Sequence, residues 1–237
     1  DKPDIPPGTP FQRVRPMLIT FFVVALIGPW VFSSYWLNTF STVACLILAS
    51  GTVALLYGQL GMVSLAQFAL AGVGGWFCLR LIHGTGMPFE LALVLGALIA
   101  GLFGLILGLP ALRMRGLYLA LLTLMIAAAV QVVFNVIGFP DGGAGWTGHV
   151  VNGKRLMIAR PLIAPTDVDY FRYTMFWLAI GMGLIEWARA TLPGRAWGLI
   201  RKSEAAAIAA GVSVVRYKAM AFAMAGTLAG LAGGLLA

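Results

Sequence analysis

The feature that most constrains this chain is a series of long apolar stretches, each about as long as a membrane-spanning helix. The hydrocarbon core of a bilayer requires roughly 20 apolar residues per helical span. Backbone N–H and C=O groups find no water there, so each span has to be helical. The sequence therefore predicts an all-α, polytopic transmembrane helix bundle with about seven spans. They lie at 17–36, 39–57, 64–82, 89–109, 117–137, 171–188 and 218–237.

Composition supports a chain solvated by lipid. Only 10% of the 237 residues are charged and the mean hydropathy is +0.93. A soluble domain carries about 25% charged residues, because its surface has to be hydrated. We therefore predict a short cytoplasmic N-terminal segment over 1–16, followed by one transmembrane domain over 17–237.

The net charge of +8 does not indicate nucleic-acid binding, because the 16 basic residues lie in short segments between the spans. Basic residues beside spans orient the chain and contact anionic lipid. With the N-terminus in the cytoplasm, eleven of them lie on the cytoplasmic side and five on the outer side, which accounts for all 16. The positive-inside rule favours this orientation. We expect membrane lipid as a partner and no nucleic acid.

Two long polar connections remain between the predicted spans. The outer one, 138–170, begins with a Gly/Asp cluster around Trp146. The inner one, 189–217, contains a turn signal at Pro193–Gly194. Polar connections of this length are usually functional or disordered.

Within the inner connection, Ser203 is a candidate helix cap and Glu204 lies at the positive end of the helix that it begins. Gly211 is a candidate left-handed terminator. Between them lie three alanines with small side chains, Ala205, Ala206 and Ala207. This pattern predicts a short cytoplasmic helix, which serves either as a docking surface for a partner protein or as an ordinary interfacial connector.

Polar residues interrupt the apolar sequence between Tyr57 and Gln67. They include Gln59 and Ser64. Non-helical backbone at membrane depth is tolerated only inside protein or beside a cavity, and broken helices often mark transporter binding sites. We predict either a broken helix bordering a substrate pathway or a tight loop between two spans.

The fifth predicted span carries Thr123, Gln131 and Asn135. Gln131 and Asn135 are four residues apart and therefore share one helix face. Amides in a span face the bundle interior, where they line a pathway or bond a neighbouring helix. Both interpretations stay open.

The sequence contains no recognisable catalytic or metal-binding constellation. Cys45 and Cys78 lie in apolar stretches, and His83 and His149 have no carboxylate, Ser or Cys at a catalytic spacing. No Walker-type phosphate loop is present. We therefore expect a transport protein without a cofactor of its own, rather than an enzyme. Any ATP hydrolysis has to come from another polypeptide or a fused domain.

Three ordered motifs resemble the permease subunit of branched-chain amino acid ABC importers, of the LivM type. They are GQLGMVSLAQFALAGVGGW (58–76), LPALRMRGLYLALLTL (109–124) and GRAWGLIRKSEAAAIAAGVSVVRYK (194–218). In that family the third motif contains the helix that couples the permease to its ATPase. The matching coupling residues here are Gly194, Arg195, Arg201, Glu204, Ala205, Ala206, Ala207 and Gly211.

The resemblance implies a bacterial inner-membrane protein that works with a second permease subunit, cytoplasmic ABC ATPases and an extracytoplasmic solute-binding protein. It implies ATP-coupled alternating access and a branched-chain or related amino acid as substrate. Urea or short amides are the alternative substrates. An ion-coupled secondary transporter or channel needs charged residues within its spans, and this sequence has almost none there. The family also has further spans after the last motif, so we expect the chain to be an incomplete permease.

Overall fold

The computed structural model describes residues 10–111, 114, 116–140, 161 and 163–237. All regular elements within these ranges are helical. In chain order they are α1 (Pro10–Val31), α2 (Ser34–Leu55), a π-helical turn (Leu56–Leu60), α3 (Gln67–Thr85), α4 (Phe89–Ala111), α5 (Leu117–Ile137), α6 (Asp167–Ala190), α7 (Leu192–Lys202), α8 (Glu204–Ala209) and α9 (Val214–Leu236). The predicted all-α fold is confirmed for the described ranges.

Four of the helical segments are long and apolar enough to cross a membrane. They are α2 with the π-helical turn, α4, α5 and α9. A shorter apolar stretch, Leu18–Val31, lies in α1. Arg80 and His83 lower the hydropathy of α3, and Arg172 and Glu186 lower that of α6. The seven-span count is therefore not confirmed and stays a prediction.

The first two predicted spans have different boundaries in the structure. The predicted segment 17–36 is interrupted, because α1 ends at Val31 and α2 begins at Ser34. Ser33, at the N-cap position of α2, has an extended backbone with φ −71° and ψ 164°. The side chain of Ser33 makes no capping hydrogen bond, so only the extended backbone of this residue marks the boundary between the two helices.

Helix α9 occupies the centre of the bundle and packs against α2, α3 and α4. Its glycines allow backbones to approach closely: a Cβ added at Gly226 would lie 2.8 Å from the carbonyl oxygen of Ala100. A Cβ at Gly104 would lie 2.7 Å from the carbonyl oxygen of Phe222. The faces of α4 and α9 that carry these glycines are therefore packing surfaces.

Helix α5 lies at the periphery of the bundle, with only 11% of its most apolar stretch buried. Its C-terminal end is joined to α3, because the indole N–H of Trp76 donates to the carbonyl of Gly138 at 2.9 Å. The Gly/Asp cluster around Trp146, predicted to form the outer connection, lies outside the described residues.

Candidate functional site

The predicted inner connection contains two helices, α7 and α8. The turn expected at Pro193–Gly194 is instead the first turn of α7. Proline is well tolerated in the first turn, because the missing N–H would have no partner within the helix. A side chain at Gly194 would overlap the backbone carbonyl of Arg189, so glycine permits α7 to fold back closely against the end of α6.

Helix α8 has the predicted caps. The N–H of Ala206 donates to Ser203 Oγ at 3.3 Å, which confirms Ser203 as the N-cap. The chain leaves the helix through Gly211, whose φ of +77° is left-handed. L-amino acids rarely adopt this conformation, whereas glycine adopts it readily because it has no Cβ. Gly211 therefore ends the helix, as predicted from the sequence.

Burial divides α8 into two faces. Ala207 is fully buried and lies in the same apolar cluster as Trp197 and Phe222. On the other side Ala205, Ala206 and Ile208 are exposed, and Ile208 keeps 64% of its surface. The helix therefore rests on the bundle through one small side chain and presents an apolar face outward.

Two polar contacts fix α7 and α8 to the beginning of α9. Lys218 Nζ lies 2.7 Å from Glu204 Oε1. The indole N–H of Trp197 donates to the carbonyl of Tyr217 at 2.8 Å. These contacts attach both short helices to the central helix.

Four exposed cations lie on α7 and at the beginning of α9, the helices before and after α8. They are Arg195, Arg201, Lys202 and Arg216. This end of the molecule therefore combines an apolar patch with positive charge.

The polar interruption between α2 and α3 is a non-helical segment of residues 61–66, which we call the break. The π-helical turn ends at Gly61, whose φ is +68°, and α3 begins at Gln67. Ser64 and Gln67 are each only 1% exposed. Gly61 and Leu65, in contrast, are exposed, so the break is only partly enclosed by the protein.

Polar side chains from three helices converge on this break. Thr123 Oγ1 accepts the backbone N–H of Leu65 at 3.0 Å. Gln67 Oε1 lies 3.3 Å from Thr52 Oγ1, and Gln67 Nε2 lies 3.5 Å from Ser64 Oγ. Three of the predicted pathway residues (Ser64, Gln67 and Thr123) therefore lie together. Thr52 was not predicted, although it is a polar residue within an apolar span.

The two predicted amides of α5 lie in an open cleft rather than in this closed cluster. Gln131 and Asn135 are exposed and line a cavity of about 490 Å³ between α3 and α5. Within the described part of the chain, neither side chain bonds another residue. Leu65, in the break, lines the same cavity. Gln59 lies apart, half-buried in the π-helical turn.

The polar side chains of the break and the cleft are neutral hydroxyls and amides, which can donate and accept hydrogen bonds. Over the described ranges, no group of three or more His, Cys, Asp or Glu residues is placed to hold a metal ion. Both cysteines are buried and free. The arrangement therefore suits reversible contact with a small polar solute.

Comparison with known proteins identifies the family of this chain. The chain matches the family model described as "Branched-chain amino acid transport system / permease component" over residues 35–237. It is similar to the high-affinity branched-chain amino acid transport system permease protein LivM of Salmonella typhimurium (strain LT2) and to that of Escherichia coli (strain K12). Each is 27% identical over 93% of this chain.

The chain spans 56% of the length of each of these relatives. No solved structure matches it significantly. The family match nevertheless covers all helices from α2 to α9 almost completely. It includes the break between α2 and α3 and the short helices α7 and α8. The chain belongs to the permease family of branched-chain amino acid transport systems.

Proposed function

We propose that this chain is a permease subunit of an ABC importer in the bacterial inner membrane, with its N-terminus in the cytoplasm. Its partners are a second permease subunit, cytoplasmic ATPases and an extracytoplasmic solute-binding protein. The ATPases use ATP, and the permease moves a branched-chain or related amino acid by alternating access. The observation that carries this proposal is the outward-facing surface of α8 on a helix fixed to the bundle core.

The coupling role of α8 is supported by its faces and its attachments. Ala205 and Ala206 have small side chains, which permit close approach by a partner surface. Behind them, Ala207 and Glu204 attach the helix to the core. The remaining predicted coupling residues lie on α7 and just after α8, where we propose that they hold α8 in position. They are Gly194, Arg195, Arg201 and Gly211. In this proposal closure of the ATPases pushes on α8, and the attached helices move with it.

The pathway is proposed to run along the cleft between α3 and α5. Gln131 and Asn135 provide amide donors and acceptors on one wall. The buried cluster of Ser64, Gln67 and Thr123 lies beside the cleft and closes its inner side. Opening this cluster would extend the polar surface along α3.

The solute has to be small, polar and able to bond amides. A branched-chain amino acid fits, because its ammonium and carboxylate groups bind amides while its side chain contacts the apolar lining. Urea and short amides are the alternative, since Gln131 and Asn135 also complement an amide solute. Competition assays distinguish these classes.

The proposal is tested by uptake of radiolabelled leucine into proteoliposomes containing the assembled transporter, its binding protein and internal ATP. The informative variant is Ala206→Arg, because a long charged side chain on the exposed face of α8 prevents close docking. We expect at least about tenfold lower uptake, equivalent to about 1.4 kcal/mol of lost coupling.

The matched control is Ala206→Ser, which keeps a small side chain at the same exposed position and should transport normally. Both variants should be produced in equal amounts, since residue 206 lies outside the core. Full uptake by Ala206→Arg would exclude this face of α8 as the docking surface. Uptake that is unchanged without ATP would contradict ATP coupling itself.

A further inference from the structure

A direct contact joins the end of α7 to the π-helical turn that precedes the break. Arg201 Nη1 donates a hydrogen bond to the carbonyl oxygen of Gly58 at 2.5 Å. The two residues are 143 positions apart in the chain. Gly58 lies in the π-helical turn that precedes the break, and Arg201 lies in the last turn of α7. The contact therefore joins the short inner helices to the polar break.

The Gly58 carbonyl is available because the helix ends here. The last carbonyls of a helix have no N–H donors further along it. The N–H groups of Gly61 and Met62 bond the carbonyls of Tyr57 and Leu56, at 2.9 Å and 3.3 Å. The next carbonyl along the chain is that of Gly58, and the backbone leaves the helical path before a later N–H can bond it. Arg201 supplies a donor from outside the helix.

The aliphatic part of Arg201 also contacts this turn. A Cβ added at Gly61 would lie 3.5 Å from Arg201 Cγ and 3.8 Å from Nε. Beneath it, buried Ile200 of α7 belongs to the same apolar cluster as Leu56 and Leu60 of the π-helical turn. Packing and hydrogen bonding therefore hold α7 and the turn together.

Beyond the turn, the chain enters the polar cluster without an intervening helix. Only the non-helical residues 61–66 separate the Gly61 turn from α3. They include Ser64, which is buried, and Leu65, whose N–H bonds Thr123. A displacement of Gly58 would therefore reach the cluster through a short non-helical segment rather than through a rigid helix.

We propose that Arg201 is a positioning residue that transmits movement of α7 and α8 to the polar break, rather than a direct contact for the ATPase. This inference rests on the proposed ATP-coupled function and deepens it. Arginine suits the role because its long stem packs on the turn while its charged fork donates to a carbonyl. Loss of the contact leaves docking intact and disconnects docking from the pathway.

The test follows the break directly by fluorescence. A bimane label is attached to Leu65→Cys in a Cys45→Ala/Cys78→Ala background, because Leu65 is 46% exposed in the break. The labelled permease is purified with its ATPases, and emission is compared before and after trapping with ATP and vanadate. Arg201→Gln is compared with Lys202→Gln, which removes the neighbouring exposed cation.

We expect a vanadate-dependent emission shift in the parent and in Lys202→Gln, and loss of most of this shift in Arg201→Gln. Arg201→Lys should give an intermediate shift, since lysine can reach a carbonyl but lacks the planar fork. In transport assays Arg201→Gln should hydrolyse more ATP per substrate molecule moved. If Arg201→Gln does not assemble, the comparison of Arg201→Lys with Lys202→Gln carries the test.

A normal emission shift in Arg201→Gln would overturn the positioning role while leaving the proposed function intact. Where Arg201→Lys carries the test, a normal emission shift in that variant has the same meaning. A different failure is distinguishable from this one. If the parent and Lys202→Gln also show no shift, ATP-driven movement of the break is contradicted, and the inference loses its basis.

Discussion

Lys218 Nζ lies 2.7 Å from Glu204 Oε1, so the first residue of α8 is ion-paired with the early part of α9. The side chain of Lys218 is only 3% exposed, and that of Glu204 is 23% exposed. A buried ammonium group is costly without a partner. Glu204 therefore has a role inside this chain, in addition to any contact with an ATPase.

The first prediction concerns this ion pair. Glu204→Gln should destabilise the protein by about 2 kcal/mol, because it leaves a buried ammonium group without its carboxylate. The partial exposure of Glu204 keeps this loss below that of a fully buried pair. The double variant Glu204→Gln/Lys218→Met should recover most of this loss, because no unpaired charge remains. Thermal unfolding of the purified protein in detergent measures both. A Glu204→Gln variant as stable as the parent would show that the pair contributes nothing.

The second prediction contrasts neighbouring alanines of α8. Ala207→Leu should lower stability by about 2 kcal/mol, because overpacking a closed core forces its neighbours apart. Ala206→Leu makes the same chemical change on the exposed face and should leave the melting temperature unchanged. The same unfolding measurement compares them. Equal effects from the two variants would contradict the docked orientation of α8.

The third prediction concerns the cleft between α3 and α5. Gln131→Leu and Asn135→Leu should each raise the KM for leucine uptake about tenfold, as expected for the loss of one or two hydrogen bonds to the solute. Val132→Leu is the matched control, since Val132 is exposed on α5 but does not line the cavity. Initial uptake rates over a range of concentrations give KM. Identical KM values for Gln131→Leu and Val132→Leu would exclude this wall of the pathway.

Local signals in the sequence were enough to predict α8. A serine cap, a run of alanines and a terminating glycine act over a few residues, and the structure has them at Ser203 and Gly211. The same reasoning missed α7. Pro193–Gly194 is typical of a turn, but both residues also fit the first turn of a helix, and packing of α7 against α6 decides between the two.

Contacts between residues far apart in the chain could not be predicted from the sequence. Lys218 was predicted as an orienting charge at the edge of a span, whereas it is buried beside Glu204. The Arg201–Gly58 hydrogen bond involves a backbone carbonyl, which no side-chain pattern reveals. The polar residues at the break were identified from composition alone, but only the structure separates the closed cluster of Ser64 and Gln67 from the open cleft.

The central claim is that α8 lies on the cytoplasmic side, where an ATPase reaches it. The most direct measurement is labelling of single cysteines with a membrane-impermeant maleimide. Ala206→Cys reports on α8, and Thr85→Cys reports on the exposed end of α3, both in the Cys45→Ala/Cys78→Ala background.

We predict that Thr85→Cys is labelled in intact spheroplasts and that Ala206→Cys is labelled only in inside-out vesicles. Labelling of Ala206→Cys from the outside, or of both positions from the same side, would contradict the account.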